Sequence, residues 1–387
     1  MKITSIKSYV LRYNLEEELG YSQQFYTNRT VHLVKVQTDD GITGWGECFG
    51  PGTIALTNKF IIENVIQPIV VGENPLNKER IWHKVYNLLR DSGQKGMPIQ
   101  ALSGLDIALW DILGKKSQLP LYNLIGGKCS DQIPVYGYGM MLKRKTIEDL
   151  IPEFKDESAK IKDKNFHAIK MKIGMGPKKD IKLVKAVRES IGDDIKLMVD
   201  ANHAYTSAEA FYVGRALEEY NVYWFEEPIA PEDYDGYKEL KTNLKINIAG
   251  GEAEFTRWGW NHLLKNRCID IAQPEVCGLG GISEYLKILS LAHTNFVPVV
   301  NHVWGSALSI AVNLHLLTAM PDIPGGLFPW KSMLEFDTNP KNIFITDLME
   351  EDFSVFDQVK SNGHVKAPER HGIGITPKKD FIKKFEI

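Results

Sequence analysis

Three carboxylates close three successive apolar runs near the middle of the chain: Lys196-Leu-Met-Val-Asp200, Tyr223-Trp-Phe-Glu226 and Ile248-Ala-Gly-Gly-Glu252. Each run has the length of a strand and leads into a loop and then a helical pattern. Asp200, Glu226 and Glu252 are therefore expected at the C-terminal ends of consecutive parallel strands, where a barrel gathers its chemistry. Like charges brought to one point repel. A hard divalent cation with oxygen ligands and retained water resolves that conflict, and Mg²⁺ suits such a set. Local periodicity leaves Glu226 and Glu227 open as the second ligand, because Pro228 disturbs the strand end.

One run earlier, Ala168-Ile-Lys170-Met-Lys172 sets two lysines two residues apart. Both face one side of a strand, and Ile169, Met171 and Ile173 face the other. With the lysine face inside a barrel, mutual repulsion is expected to lower a lysine pKa and make a base that works near neutral pH. Two later runs end in Gln273-Pro-Glu275 and Val299-Val-Asn-His302. A glutamate on the neighbouring strand can accept from one imidazole nitrogen and raise the basicity of the other. Glu335, in Met333-Leu-Glu-Phe336, ends the last run and can hydrogen-bond a substrate oxygen. Lysine on one side, histidine on the other and a metal below describe a site that removes the weakly acidic proton beside a carboxylate, with cations neutralising the enediolate as it forms.

The elements that must position these groups follow from the change of period along the chain. Residues 1 to about 55 read as strands, with Val31-His-Leu-Val-Lys-Val-Gln-Thr alternating and Asp39-Asp40-Gly41 signalling a turn. Between the first two strands, residues 20–29 are rich in aromatic and amide side chains and read as a loop that can cover a polar ligand; Tyr26, Asn28 and Arg29 are its candidate substrate contacts, joined by Gln94, Asn202 and His203. From about 54 to 125 the period is helical, so residues 1–125 form an α+β lobe. Asp106 and Asp111 lie in a helix that is apolar nearly all round, where structural capping or pairing is expected of them. From 126 to 345 strand and helix alternate, with strand ends at Tyr138, Lys172, Asp200, Glu226, Glu252, Gln273, Asn301 and Glu335 spaced roughly 21 to 34 residues apart. A (β/α) barrel repeats about every 30 residues. Thr206-Ser-Ala-Glu209 is a capping box that opens one of the intervening helices. The fold class is thus α/β: a modified TIM (β/α) barrel behind an N-terminal α+β domain, with residues 346–387 returning to cover the first lobe.

Composition narrows the function from outside. Of 387 residues 43% are hydrophobic and 25% charged, ordinary for a soluble globular protein, and a net charge of -3 speaks against nucleic acid as a partner. The longest apolar run near the start, Val65 to Val71, is interrupted by Gln67 and Pro68 and is too short to span a bilayer, so no membrane association is expected. The four cysteines form no C-x-x-C pair, which fits a reducing cytoplasm rather than a disulfide framework or a thiolate metal site.

These motifs together resemble the enolase superfamily and, within it, the mandelate racemase subgroup. The likeness extends over nearly the whole chain and includes Gly41-Ile-Thr-Gly-Trp-Gly-Glu47 and the helix from Ala101 to Asp111. It implies that Asp200, Glu226 and Glu252 are the Mg²⁺ ligands. It further implies that Lys172 is the base of the Lys-x-Lys motif and Lys170 its partner near the substrate carboxylate. His302 becomes the opposing acid or base, Glu275 the acid that orients it, and Glu335 a hydrogen-bond partner of the substrate carboxylate. Glu275 stands where the family usually carries an aspartate, one methylene shorter, and His371-Gly-Ile-Gly374 replaces a customary Pro-Gly-Leu-Gly. Leu88 to Gly96, Asp200 to His203, Val276 to Glu284, His302 to Gly305 and Met333 to Asp337 resemble the acid-sugar dehydratases and lactone cycloisomerases of the subgroup. The implied partner is a small acid-sugar or lactone substrate, and the implied assembly a homo-oligomer. A racemase or epimerase is the alternative activity, and a barrel that only binds its ligand a more distant one.

Overall fold

The computed structural model describes residues 1–323 and 325–387. The chain opens with an antiparallel sheet of β1 (Ile3–Tyr21), β2 (Gln24–Thr38) and β3 (Thr43–Cys48), in that spatial order. Alternation puts Ile6, Val10, Val34 and Val36 on one face, and all four are fully buried or nearly so. Helices α1 (Ile54–Phe60), α2 (Gln67–Val70), α3 (Lys78–Leu89), α4 (Met97–Ser117) and α5 (Leu121–Ile125) follow, with a π-helical turn over Ile61–Ile66. Helix α4 lies so close to β3 that a Cβ at Gly46 would sit 2.1 Å from the Gly104 carbonyl oxygen, which reserves that position for glycine. The outer edge of β1 is covered by side chains: Ile6 N donates to Gln67 Oε1 (2.7 Å) and Ser8 N to Glu63 Oε1 (3.1 Å). Covering an edge in this way blocks pairing with another chain.

The expected loop over residues 20–29 is instead the far end of a long hairpin. β1 and β2 pair as far as Tyr21 and Gln24, leaving Ser22 and Gln23 as the turn, with a register shift between Asn14 and Leu19. Tyr26, Phe25 and Tyr13 supply the β propensity that the polar composition of this stretch obscures.

The second domain is a parallel sheet of β4 (Ile133–Gly139), β5 (Ala168–Lys172), β6 (Lys196–Asp200), β7 (Val222–Glu226), β8 (Asn247–Gly250), β9 (Ile271–Ala272) and β10 (Leu334–Asp337), with β10 paired to β4. Between these strands run α6 (Ile147–Lys162), α7 (Pro177–Ile191), α8 (Ser207–Glu219), α9 (Tyr234–Asn243), α10 (Thr256–Lys265), α11 (Gly281–Thr294) and α12 (Ala307–Ala319). The capping box of α8 forms as its sequence predicts, with Thr206 and Glu209 each accepting from the other's backbone. The seventh strand is reduced to a single bridge between Val299 and Ala272, because Pro298 lacks the donor a ladder needs. Inside the barrel Tyr136, Met198, Trp224, Ile271 and Met333 pack as one apolar layer beneath the strand ends. Each large side chain in such a layer contributes about 1.5–3 kcal/mol.

The tail adds α13 (Ile343–Thr346), α14 (Val355–Asn362), β11 (His364–Val365) and α15 (Lys379–Phe385). It touches both domains: β11 pairs with β4, and Ile387 N donates to Val10 O (2.9 Å).

Buried acids of the first domain cap helices of the second. Asp106 on α4 accepts from Ser283 N (2.8 Å) and Ser283 Oγ (2.6 Å) at the start of α11. Glu47 on β3 accepts from Ser306 N (2.9 Å), Ser306 Oγ (2.6 Å) and Ser309 N (3.2 Å) at the start of α12. Asp111 accepts from Trp45 N and Ile373 N (2.9 Å each), and so joins the first sheet to the tail. The structural role expected of Asp106 and Asp111 is the one they have. Among the described residues no helix is long and apolar enough to cross a membrane.

Candidate active site

Strand order alone brings the charged groups together. β5, β6 and β7 are in direct register, so Lys172 pairs with Asp200 and Asp200 with Glu226. Glu252 comes two residues after β8, in the turn that follows. One carboxylate oxygen from each of Asp200, Glu226 and Glu252 lies within 4.8 Å of the other two, the only such cluster among the described residues. Asp200 and Glu226 are fully buried. Glu252 Oε2 is buried and faces His302 Nε2 at 3.2 Å without an aligned hydrogen bond. An oxygen-only set of three converging acids fits a hard divalent cation.

Glu226 is the member of the Glu226-Glu227 pair that faces this cluster. Its Oε1 accepts from Lys170 Nζ (2.7 Å), and its Oε2 from Trp224 Nε1 (3.0 Å) and Gln273 Nε2 (2.6 Å). Gln273 thus has a place in the site that its position at a strand end did not reveal. Glu227 has a left-handed φ of 40° and turns toward His203, with Oε2 3.2 Å from His203 Nε2. Burial pushes the Glu227 carboxyl well above the usual range, and Glu252, Asp200 and Glu226 add to the effect.

The two lysines behave differently from the expectation of mutual repulsion. Lys170 is 2% exposed and lies 2.7 Å from Glu226 and 2.5 Å from Glu335. Burial opposes its charge, but Glu226 and Glu335 hold its pKa well above the ordinary lysine value. Lys172 is ion-paired with Asp200 and donates to Asn202 Oδ1 (2.8 Å). Its pKa is also raised: burial lowers it and Lys170 lowers it further, but Asp200, with Glu252 and Glu226, overcomes both. The reason is that each ammonium is in direct contact with a carboxylate.

Across the cluster, His302 Nδ1 lies 2.8 Å from Glu275 Oε2 and its Nε2 lies 3.2 Å from Glu252 Oε2. The extra methylene of Glu275 therefore does not prevent contact. Burial lowers the imidazole pKa, but Glu252 and Glu275 carry it up to about 10. Glu335 Oε2 accepts from Val303 N (2.8 Å), which ties the last strand to the loop that carries His302.

The hairpin turn of the first domain closes on the loop after β6. Ser22 Oγ donates to the carbonyls of Ala201 and Asn202 (2.7 Å each), and Gln23 Nε2 to that of Asn202 (2.8 Å). Asn202 and His203 hold left-handed backbone conformations, with φ of 41° and 59°. Tyr26, Phe49 and Trp304 form an aromatic wall: Tyr26 and Phe49 stand edge-on to Trp304 (6.1 and 6.2 Å), and Phe49 packs against His302 (5.8 Å). Arg29 is buried, ion-paired with Asp337 and placed over the Trp304 ring (5.0 Å). A cavity of about 750 Å³ opens beside Tyr26, Arg29, Tyr138 and Trp304. Asn28 stays on the hairpin, paired with Asn14. Gln94 is exposed in the turn after α3, where its neighbour Lys95 pairs with Glu254 (2.9 Å).

A parallel β/α domain with acids at successive strand ends, capped by an antiparallel lobe, has counterparts among known families. Residues 153–381 match the model of the enolase C-terminal domain-like family, and residues 18–126 that of the mandelate racemase / muconate lactonizing enzyme N-terminal domain. The chain belongs to the enolase superfamily, in its mandelate racemase / muconate lactonizing enzyme family, and is an enzyme of the lyase or isomerase type with a carboxylate metal-binding triad. It is 37% identical to the D-galactarolactone cycloisomerase of Agrobacterium fabrum (strain C58) over 100% of this chain and 99% of that one. Among solved structures it is similar to the 3,6-anhydro-D-galactonate cycloisomerase of Zobellia galactanivorans, at 34% identity and a TM-score of 0.87 with both chains fully covered. It is also similar to the L-talarate/galactarate dehydratase of Salmonella typhimurium LT2 liganded with Mg and L-lyxarohydroxamate, at 26% identity and a TM-score of 0.82, covering 100% of this chain and 93% of that one.

Proposed function

We propose that the protein removes the proton α to the carboxylate of a sugar acid or its lactone, with Mg²⁺ bound by Asp200, Glu226 and Glu252, and then expels a β-oxygen. The observation that carries this reading is the placement of Lys172 and His302 on opposite sides of the triad, one against Asp200 and the other against Glu252. When bound, the ion supplies charge neutralisation to the substrate carboxylate.

The roles of the two flanking groups follow from what each keeps once the carboxylates are engaged. Lys172 has its counter-charge from the three triad carboxylates, chiefly Asp200, and Asn202 Oδ1 is neutral. With Asp200 taken up as a ligand, burial and Lys170 both favour the free amine, so Lys172 becomes the base. His302 keeps Glu275, which is not a ligand, and so stays protonated at Nε2 as the acid. The α-proton passes to Lys172 Nζ, the bond from the β-carbon to oxygen breaks, and His302 delivers its proton to the departing oxygen. The enol product tautomerises to a keto acid. A leaving hydroxyl makes the reaction a dehydration; a leaving ring oxygen opens a lactone without loss of water. Lys170 and Glu335 lie beside this centre and would meet the substrate carboxylate. The wall of Tyr26, Phe49 and Trp304 suits the C–H face of a sugar ring, and Asn202 and His203 its hydroxyls. Asn28, Arg29 and Gln94 remain candidates at the rim.

A library of aldonic acids, aldaric acids and aldarolactones, incubated with Mg²⁺ in D₂O and followed by proton NMR, tests the proposal. A keto-acid product that is lost in Lys172→Ala and His302→Ala is expected. Two opposed proton-transfer groups also permit racemisation or epimerisation. Deuterium entering recovered substrate with inversion, and no elimination, would move the assignment to that class.

A further inference from the structure

Lys7, Lys35, Lys379 and Lys383 line one cleft of about 990 Å³ on the outer face of the first sheet, between β1, β2, β3 and the C-terminal helix α15. Among the described residues none of the four has a carboxylate within 4.0 Å. Register makes the arrangement costly. Lys7 is directly opposite Lys35 across the β1–β2 pair, and Lys35 is opposite Trp45 across β2–β3. Like charges at directly opposed positions destabilise a sheet. The Lys7 ammonium sits over the Tyr9 ring (4.7 Å) and that of Lys35 over Trp45 (5.8 Å), with the two rings 5.8 Å apart. Those contacts hold the two charges at the cleft instead of letting them disperse into solvent. Lys379 and Lys383 approach from α15, and burial of Lys35, with Lys379 and Lys7 beside it, pulls the Lys35 pKa down. The acids that also line the cleft are Glu350 and Glu386, and Glu386 already lies 3.6 Å from Lys59.

We propose that this cleft, remote from the carboxylate triad, binds a small polyanion carrying linked phosphoryl groups. Four compact ammonium charges against two carboxylates call for a ligand of at least two negative charges. Lysine binds phosphate as a point charge, and four such charges around one cleft suit oxygens spread in three dimensions over linked phosphoryl groups. The volume is that of a small-molecule site, and the aromatic floor leaves a surface for the rest of the ligand. Free pyrophosphate and the diphosphate of a nucleotide share this chemistry. The inference does not depend on the reaction proposed above.

Isothermal titration calorimetry of the full chain with inorganic pyrophosphate, and separately with ADP, in about 0.15 M NaCl and without added divalent ion, tests it; ionic strength at that level screens diffuse surface attraction. One saturable site is expected, with the dissociation constant at least about tenfold weaker in Lys35→Gln/Lys379→Gln, the loss that two charge-assisted contacts would carry. Equal binding of both probes assigns recognition to the phosphoryl chain, and tighter ADP adds the ring to it. As a second readout, Lys7→Gln should raise the unfolding midpoint in the absence of anion, since it removes the Lys7–Lys35 repulsion. The proposal is overturned if no saturation occurs below about 10 mM or if the double variant binds unchanged, which would move the anion to another site.

Discussion

Replacing Glu47 by alanine should loosen the loop that carries His302, although Glu47 belongs to the other domain. Its carboxylate is 3% exposed and accepts from Ser306 N, Ser306 Oγ and Ser309 N. Glu47→Ala strands the two amides in a buried place, at about 1–3 kcal/mol each, while the Ser306 hydroxyl can turn elsewhere. Part of that loss is offset, because the carboxylate is itself held at a cost. Burial raises its pKa from 4.5 to about 7, a difference worth about 3 kcal/mol once the group ionises. The net destabilisation should therefore be about 2 kcal/mol near pH 8 and larger near pH 5, where the native group is protonated in the folded state. Hydrogen exchange at the Ser306 and Ser309 amides reads this locally, and about 2 kcal/mol corresponds to roughly 30-fold faster exchange. Turnover should fall with it, since His302 and Trp304 lie on the same loop. Unchanged exchange at both amides would refute the claim that a capping-domain acid anchors the barrel loop.

Other perturbations separate the remaining parts of the site. Lys172→Ala should abolish exchange of the α-proton with D₂O, while His302→Ala should allow exchange and block elimination, each losing about 10²–10⁴-fold in product formation by NMR assay. Gln273→Leu removes one of the two neutral donors that aim Glu226 and should weaken Mn²⁺ binding about 10–100-fold by EPR titration, with little change in the unfolding midpoint. Glu47 and Asp106 both have folded pKa values raised to about 7 by burial, from 4.5 and 3.8. A raised folded pKa contributes stability that is complete below the ordinary value and is lost as pH rises through about 7. Urea unfolding should thus show stability falling over that window, and Glu47→Gln/Asp106→Asn should flatten the curve.

Much of the site was legible from the chain because strand and helix periods report which side of an element is buried. The run from Ala168 to Lys172 faces its lysines to the barrel interior and Ile169, Met171 and Ile173 to the surrounding core, as alternation requires. The capping box at Thr206 and the structural acids Asp106 and Asp111 were readable for the same local reason: a helix end or an apolar helix states what its polar residues must do. The converging acids Asp200 and Glu252, with one of the pair Glu226-Glu227, needed only their positions at the ends of successive parallel strands.

What tertiary structure alone decided depends on distances through space. Periodicity could not separate Glu226 from Glu227; a left-handed turn at Glu227 sends it to His203 and leaves Glu226 over the triad. Repulsion between Lys170 and Lys172 suggested a lowered pKa, but Glu226 of β7 and Glu335 of β10 pair with Lys170 and Asp200 of β6 with Lys172, and these contacts reverse the sign. Residues 20–29 carried loop composition and became a hairpin, because pairing with β1 supplies partners that composition does not record. Gln273 and Glu47 act on groups 47 and 259 residues away in the chain. Local pattern determines burial and element type; it holds no information on which distant polar group completes a hydrogen bond, and it is those long-range pairings that set charge state and aim in this site.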